Sequence, residues 1–173
     1  MAGDVPPGFA EFVSLRYPSL ARSAYLLVGD RGSAEDLVQA ALFSTFAAWG
    51  RLHAVEAAEA YTRTTMVRLA GRWSRRRWRG EIPHAQITWP QGSADPSSEA
   101  DAAVDVLVAL NRLPLSQRAV LVLRYFDDLS EAETAKVLGC SVGTVKSRAS
   151  RGLATLRAAG LLGPSVMTEV RDG

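Results

Sequence analysis

A proline-rich stretch near the middle of the chain separates two segments with helical patterns. Residues 80–99, GEIPHAQITWPQGSADPSSE, contain three prolines and neither lysine nor arginine. Because proline lacks a backbone N–H and its ring clashes with the preceding turn, no helix runs through Pro83, Pro90 and Pro96. On both sides of this stretch, apolar residues recur every three to four positions. We therefore predict an all-α chain of two small helical domains joined by a flexible linker.

The apolar periodicity sets the expected limits of these parts. The first domain is predicted over residues 1–80, the linker over 81–100, the second domain over 101–160 and a tail over 161–173. A frayed terminus is typical of the last residues of a domain.

Three helices are predicted in the first domain. Phe9–Val28 is periodic, with Pro18 as either a break or a first-turn residue. Ser33 is the expected N-cap of the second helix, since serine accepts a hydrogen bond from the first turn and the acidic residues that follow favour the helix dipole. A third helix is predicted from about Ala57 to Arg77.

The second domain carries the clearest local signals. Ser130 and Glu133 have the spacing of a capping box, in which each side chain binds the other residue's backbone N–H. Gly139 stands where a residue after a helix takes positive φ, and Ser141 is placed to cap a helix that begins at about Val142. Two short helices joined by a turn of roughly three or four residues form a helix-turn-helix motif.

The second helix of this motif has one apolar and one basic face. Val145, Ala149 and Leu153 share the apolar face at about 100° per residue. On the other face, small residues allow close approach to a duplex, and long basic residues reach phosphates or guanines. We predict a DNA-binding face, with a merely solvated basic face as the alternative. The candidate residues are Thr144, Lys146, Ser147, Arg148, Ser150 and Arg151.

Positive charge is concentrated in two blocks, although the formal net charge of the chain is only +2. The charge balance is +6 over residues 51–80 and +4 over residues 136–173, whereas residues 81–110 carry −5. A basic block attracts polyanions because counterions are released on binding. We therefore expect two nucleic-acid-binding surfaces that an acidic tether holds apart.

Other features of the composition exclude several classes of protein. No apolar run approaches the roughly 18 to 20 residues of a membrane span, and the N-terminus lacks the pattern of a signal peptide. With a single cysteine, Cys140, no internal disulfide is expected, and a cytoplasmic protein without membrane insertion is predicted. His53 and His84 have no partners at metal-ligand spacing, so neither a metal nor another cofactor is expected.

Three segments resemble parts of the bacterial sigma factors. Residues 110–157 are similar to region four: LNRLPLSQRAVLVLRYFDDLSEAETAKVLGCSVGTVKSRASRGLATLR. Residues 33–49, SAEDLVQAALFSTFAAW, resemble the part of region two that docks on RNA polymerase. Residues 60–81, AYTRTTMVRLAGRWSRRRWRGE, resemble its DNA-melting and −10-reading part. The extracytoplasmic-function sigma factors have this arrangement: region two, then a linker, then region four, with no other region between. The arginine-rich composition is closest to their actinobacterial branch.

This resemblance implies that region four contacts the −35 promoter element and region two the −10 element. Trp73 shares a helix stripe with Met66 and Leu69, which indicates a core residue, whereas Trp78 lies off the stripe and is a candidate for base stacking. Arg68 stands where many members of the family have asparagine. The residues implied in −10 binding and melting are Arg68, Arg72, Arg75, Arg76, Arg77, Trp78 and Arg79.

The resemblance also implies protein partners. Asp36 and Gln39 would contact the β′ clamp helices of core RNA polymerase, while Ala40 replaces an acid that is common in the family. The expected partners are core RNA polymerase, through its β′ clamp helices and β flap, promoter DNA, and an anti-sigma factor.

Two other classes of function compete with this prediction. A helix-turn-helix repressor or activator that acts without polymerase docking would need a ligand pocket or a dimer interface. An enzyme would need a set of catalytic residues, and the sequence has two histidines, one cysteine in a turn and no glycine-rich phosphate loop. We predict a non-enzymatic factor that binds core RNA polymerase and directs promoter-specific transcription initiation.

Overall fold

Seven α-helices account for most of the described chain. The structure is a computed structural model that describes residues 5–78 and 98–160, with side chains for 5–76 and 105–160. No strand occurs within these ranges, which confirms the all-α prediction. A 3₁₀ turn (Trp49–Arg51) follows the second helix, and a π-helical turn (Val122–Phe126) follows the fifth. The helices are α1 (Phe9–Val28), α2 (Arg31–Ala48), α3 (Val55–Trp78), α4 (Ser98–Asn111), α5 (Leu115–Leu121), α6 (Glu131–Leu138) and α7 (Val142–Ala158).

α1 and α2 correct two predictions. α1 has the predicted limits and is followed by Gly29, whose φ is 87°, but it continues through Pro18, which is neither a break nor a first-turn residue. The N-cap of α2 is Asp30 and not Ser33, because the Asp30 carboxylate accepts a hydrogen bond from the Ser33 backbone N–H at 2.8 Å. Asp30 and Ser33 are both favourable cap residues, and the helix starts at the earlier one.

α1, α2 and α3 pack around a shared core and form the first helical group. Leu20, Leu37 and Met66, one from each helix, are almost completely buried. Between α2 and α3, the hydroxyls of Thr45 and Thr62 lie 2.8 Å apart and both side chains are inaccessible to solvent. One hydroxyl donates to the other, and the hydroxyl that accepts donates its own proton to a carbonyl of its own helix, so this buried polar pair is satisfied.

The second helical group comprises α4 to α7 and contains the predicted helix-turn-helix motif. Ser130 and Glu133 form the capping box: the Ser130 N–H donates to Glu133 Oε2 at 2.8 Å, and the Glu133 N–H donates to Ser130 Oγ at 3.2 Å. Gly139 ends α6 with φ of 63°, and Ser141 caps α7 by accepting from the Thr144 N–H at 3.1 Å. These caps confirm the predicted limits of the motif.

The two helical groups pack directly against each other, contrary to the expectation that a tether holds them apart. α4 packs on α1, and α6 packs on α3. Leu107 and Leu110 of α4 belong to the same buried apolar cluster as Leu20 and Leu27 of α1. The physical reason is that α4 has an apolar face that α5 to α7 do not fully cover, and α1 buries it. Of the predicted linker, residues 81–97 lie outside the described residues, and α4 begins at Ser98.

Candidate nucleic-acid and polymerase interfaces

Helix α7 separates a buried face from an exposed one, as the sequence predicted. Val145 and Leu156 are buried, and Gly152 lies against Leu121 of α5. On the other face, Lys146, Ser147, Ser150 and Arg151 are exposed, and Thr144 and Arg148 are half-buried at its edges. The structure therefore brings the six predicted residues together on one side of a single helix, with four of them exposed.

Several of these side chains already have partners within the motif. Thr144 Oγ1 lies 2.9 Å from Ser141 Oγ, and Ser147 Oγ donates to the Thr144 carbonyl at 3.1 Å. Lys146 Nζ lies 3.6 Å from Glu131 Oε2, so the lysine joins the two helices of the motif across their exposed edge. These contacts orient the N-terminal turn of α7, the recognition helix of the motif, relative to α6.

The C-terminal half of α3 presents the first basic block. Arg68, Arg72, Arg75 and Arg76 are exposed, while Met66 and Ala70 on the opposite side are buried. Trp73 is half-buried and packs against the apolar cluster, as predicted for a core residue. The side chains of Arg77 and Trp78, and the whole of Arg79, lie outside the described residues.

The exposed face of α2 carries the two residues predicted to contact polymerase and a third that the sequence reasoning missed. Asp36 and Gln39 are exposed, and Ala40 is half-buried. Phe43 shares their face, because positions 36, 39 and 43 follow helical spacing, and it is 75% exposed. The signal was available: Phe43 lies off the apolar stripe of α2, and so large an exposed apolar side chain often marks a contact surface.

Two ionisable groups near the helix-turn-helix motif have shifted pKa values. Hydrogen bonds from the Ser130 hydroxyl and then from its backbone N–H lower the pKa of Glu133. Burial lowers the pKa of Arg118, which donates to three backbone carbonyls. Neither group lies on the exposed face of α7, so both shifts concern the fold of the motif.

Two other features are absent from the described part of the chain, a metal-binding cluster and a membrane-spanning helix. No group of three or more histidine, cysteine, aspartate or glutamate residues there could hold a metal ion. None of the helices in residues 5–78 and 98–160 is long and apolar enough to cross a bilayer. Cys140 is half-buried and packs against a small cluster that includes Val120, Ala135 and Val145.

Comparisons with known proteins match both helical groups. The model of sigma-70 region 2 matches residues 12–80, and that of sigma-70 region 4 matches residues 103–156. The RNA polymerase sigma-E factor of Streptomyces avermitilis is 41% identical over 150 residues, which cover 86% of this chain and 83% of that protein. The ECF RNA polymerase sigma factor EcfG of Rhodopseudomonas palustris is 31% identical over 143 residues, which cover 82% of this chain and 78% of its own.

A solved structure is similar to both groups at once. The sigma factor RpoE in complex with the anti-sigma factor NepR, from Bartonella quintana, superposes with a TM-score of 0.71 at 25% identity. The likeness covers 87% of this chain and 94% of that chain. Because neither helical group alone amounts to so large a share, the likeness includes both of them. Both helical groups match sigma-70 models, region 2 before region 4, and most of the chain is similar to sigma-E factors. This protein therefore belongs to the extracytoplasmic-function group of sigma-70 family RNA polymerase sigma factors.

Proposed function

We propose that this chain binds core RNA polymerase and directs promoter-specific transcription initiation by recognising −35 and −10 DNA. The observation that carries the proposal is the presence of two exposed basic helical surfaces on one chain, at the end of α3 and on α7. The opposite side of each of these helices is buried in the core, and α2 offers a third exposed face. A protein that reads two DNA elements while docked on a larger enzyme requires such a set of surfaces.

The −35 element is assigned to α7, which enters the major groove of duplex DNA. Arg151 is exposed near the middle of the face, where its planar guanidinium can donate two hydrogen bonds to a guanine. Lys146 and Arg148 lie closer to the N-terminal turn and suit phosphate oxygens, which position a helix on the duplex. Ser147 and Ser150 leave room for the backbone of α7 to approach the bases.

The −10 element is assigned to the end of α3. Arg68, Arg72 and Arg75 are exposed there. Guanidinium groups both neutralise phosphates and stack on unpaired bases, and stacking of a base on an aromatic side chain contributes about 1–3 kcal/mol. These properties suit a single strand that is being separated from its complement. Arg77, Trp78 and Arg79 are assigned to the same strand.

Docking on polymerase is assigned to α2. Asp36 and Gln39 would make polar contacts with the β′ clamp helices, and Phe43 would add an apolar contact that is buried when the two proteins bind. Ala40 removes a negative charge that relatives often carry, so apolar contact supplies a larger share of the affinity here. Region four is expected to engage the β flap.

The remaining assignments follow from the same function. The chain performs no covalent chemistry, because RNA synthesis belongs to the polymerase, and it acts in the cytoplasm, where the polymerase and the promoters are. An anti-sigma factor is the expected regulator, since RpoE of Bartonella quintana, with the same arrangement of helices, is in complex with one.

Run-off transcription with purified core polymerase tests the proposal. Core polymerase is incubated with a library of promoter fragments, with and without this chain, and the transcribed sequences are recovered. We expect transcripts only when the chain is present, from templates enriched in one −35 and one −10 sequence. A chain that binds a palindromic site tightly without polymerase, and yields no transcript with it, would be a repressor or activator instead.

A further inference from the structure

The cleft between α1 and α2 contains none of the residues assigned above to DNA or to polymerase. Its volume of about 400 Å³ is in the range of small-molecule sites. All of its lining residues belong to the first helical group, so the cleft exists whatever the second group does. The lining residues are Tyr17, Ala21, Arg22 and Tyr25 of α1 and Arg31, Ala34 and Glu35 of α2.

Burial divides this lining into an apolar floor and a charged rim. Ala34 is buried and Ala21 is half-buried, so the floor consists of methyl groups and leaves room for a flat ligand. Arg22, Arg31 and Glu35 are exposed, and they form the rim. An apolar slot with a few convergent polar groups is the usual form of a small-molecule site.

The charges of the rim are ordered along the cleft. Because a turn of only two residues joins α1 to α2, the two helices run antiparallel. Arg31, at the start of α2, therefore lies at the same end of the cleft as Arg22 and Tyr25 of α1. Glu35, one helical turn further on, lies towards Tyr17. At 1.5 Å per residue, the two tyrosines are about 12 Å apart along α1. The cleft thus has a cationic end and an acidic end, with an aromatic ring at each.

The walls of the cleft are held in place without a ligand. At the turn between the helices, the Asp30 carboxylate accepts from the Ser33 N–H at 2.8 Å, and the side-chain amide of Asn111 lies against Gly29. On α1, Tyr25 packs against the buried apolar cluster. A preformed site spares a ligand part of the entropic cost of ordering the protein.

The charged groups of the rim are available to a ligand. Arg22, Arg31 and Glu35 make no hydrogen bond or ion pair within the parts of the chain whose side chains are described. Elsewhere in the same helical group, Arg16 and Arg63 each pair with a glutamate. An unpaired guanidinium donates two parallel hydrogen bonds to a phosphate, and an unpaired carboxylate accepts from two N–H groups.

We propose that the α1–α2 cleft binds a guanosine 5′-phosphate. Arg22 and Arg31 donate to the phosphate at the cationic end, and the base stacks on Tyr17 at the other end. Glu35 accepts from the N1–H and the 2-amino group of guanine, a pair of adjacent donors that adenine lacks. Since a tyrosine stands at each end, the cleft suits a single nucleotide better than a strand that runs through. The inference goes beyond the proposed function, because the site requires neither promoter nor polymerase.

Isothermal titration calorimetry of the full-length chain with guanosine 5′-monophosphate tests the proposal. We expect saturable one-to-one binding with a Kd in the micromolar range. Guanosine, which lacks the phosphate, and adenosine 5′-monophosphate, which lacks the donor pair, should each bind at least about 10-fold more weakly. Inorganic pyrophosphate should also bind more weakly, because it has no base to stack.

Variants of the rim assign the binding to the cleft. Arg31→Ala should raise the Kd for guanosine 5′-monophosphate about 10-fold or more, because charged hydrogen bonds to the phosphate are lost. Arg51→Ala is the matched control: this arginine is exposed beyond the other end of α2, and the charge change is identical, so it should bind like the parent. Glu35→Gln should reduce the preference for guanine over adenine, since a glutamine has only one acceptor oxygen.

Three results would overturn the inference: no saturable binding up to about 1 mM ligand, equal affinities for the guanine and adenine nucleotides, or equal effects of Arg31→Ala and Arg51→Ala. A Kd that Arg72→Ala raises and Arg31→Ala does not would also overturn it, because the nucleotide would then lie on the basic surface of α3. If circular dichroism shows that Arg31→Ala disturbs α2, Arg22→Ala on α1 decides the question by the same titration.

Discussion

Gly152 of α7 lies against Leu121 of α5 so closely that a Cβ at position 152 would stand 3.1 Å from Leu121 Cδ1. Position 152 is therefore a close packing contact between the recognition helix α7 and α5. Gly143→Ala offers a contrast, because a Cβ there meets only Ser141 Oγ at 3.8 Å.

We expect Gly152→Val to lower the free energy of unfolding by about 1–3 kcal/mol, since the added atoms overpack the α5–α7 contact. Gly143→Ala should raise it by up to about 1 kcal/mol, because alanine has the higher helix propensity. Urea unfolding followed by circular dichroism measures both. Equal effects of the two substitutions would contradict the close approach at Leu121.

Arg151→Ala is expected to reduce discrimination at the −35 element. A base-facing arginine contributes about 1–3 kcal/mol against the wrong base pair. Run-off transcription from promoters that differ only in the −35 element measures the loss. Arg157→Ala, in the last turn of the same helix, is the control and should retain the parent's preference; a parent-like −35 preference of Arg151→Ala would refute the assignment.

Phe43→Ala is expected to weaken binding to core polymerase in the absence of DNA by about 10- to 100-fold. Burial of a phenylalanine side chain contributes about 1.5–3 kcal/mol, and its 75% exposure leaves that contribution unused in the free chain. Fluorescence anisotropy of labelled chain titrated with core polymerase gives the Kd. Leu15→Ala on α1, where the leucine is 67% exposed, is the matched control and should bind like the parent. A parent-like Kd for Phe43→Ala would remove Phe43 from the interface.

Acid is expected to weaken the capping box of α6. Because hydrogen bonds from Ser130 lower the pKa of Glu133 below its ordinary value of 4.5, the ionised carboxylate stabilises the fold above that value. This stabilisation is lost as the pH falls through the lowered pKa of the folded state. Tm measured from pH 7 to pH 3 should show the parent above Glu133→Gln at neutral pH, with the difference closing at the acidic end. A difference that is independent of pH would mean that ionisation of Glu133 contributes nothing.

The sequence predicted local structure better than it predicted the packing between the groups. Ser130, Gly139 and Ser141 cap helices through hydrogen bonds to residues only a few positions away along the chain. Their spacing alone therefore determines the limits of α6 and α7. Asp30 and Ser33 are both good cap residues, and the choice between them depends on where the turn after α1 ends, which a propensity does not encode.

The contact between the groups could not be read from the sequence. The apolar periodicity of α4 predicts a buried face but not the helix that buries it, and α1 proves to be that helix. Asp127 looks like one of two acids in a turn, and only the structure brings it against Ser23 and Arg63, residues distant along the chain. Of the candidate site residues, those on α7 follow from helical spacing, and those on α3 follow from the basic block and the family resemblance. Phe43 has neither signal, because it is apolar and resembles no family contact; its exposure is visible only in the structure.

The tight fit of Asn111 against Gly29 has a consequence for comparing relatives. With φ of 87°, the residue that ends α1 has a conformation that asparagine also adopts at helix ends, so backbone geometry alone does not require glycine. The neighbouring amide narrows the choice further, because a Cβ at position 29 would stand 2.6 Å from Asn111 Oδ1, so the end of that side chain would have to move. A homologue with a side chain at this position should therefore differ at position 111 as well or hold its asparagine in another rotamer, so these two columns of an alignment should vary together.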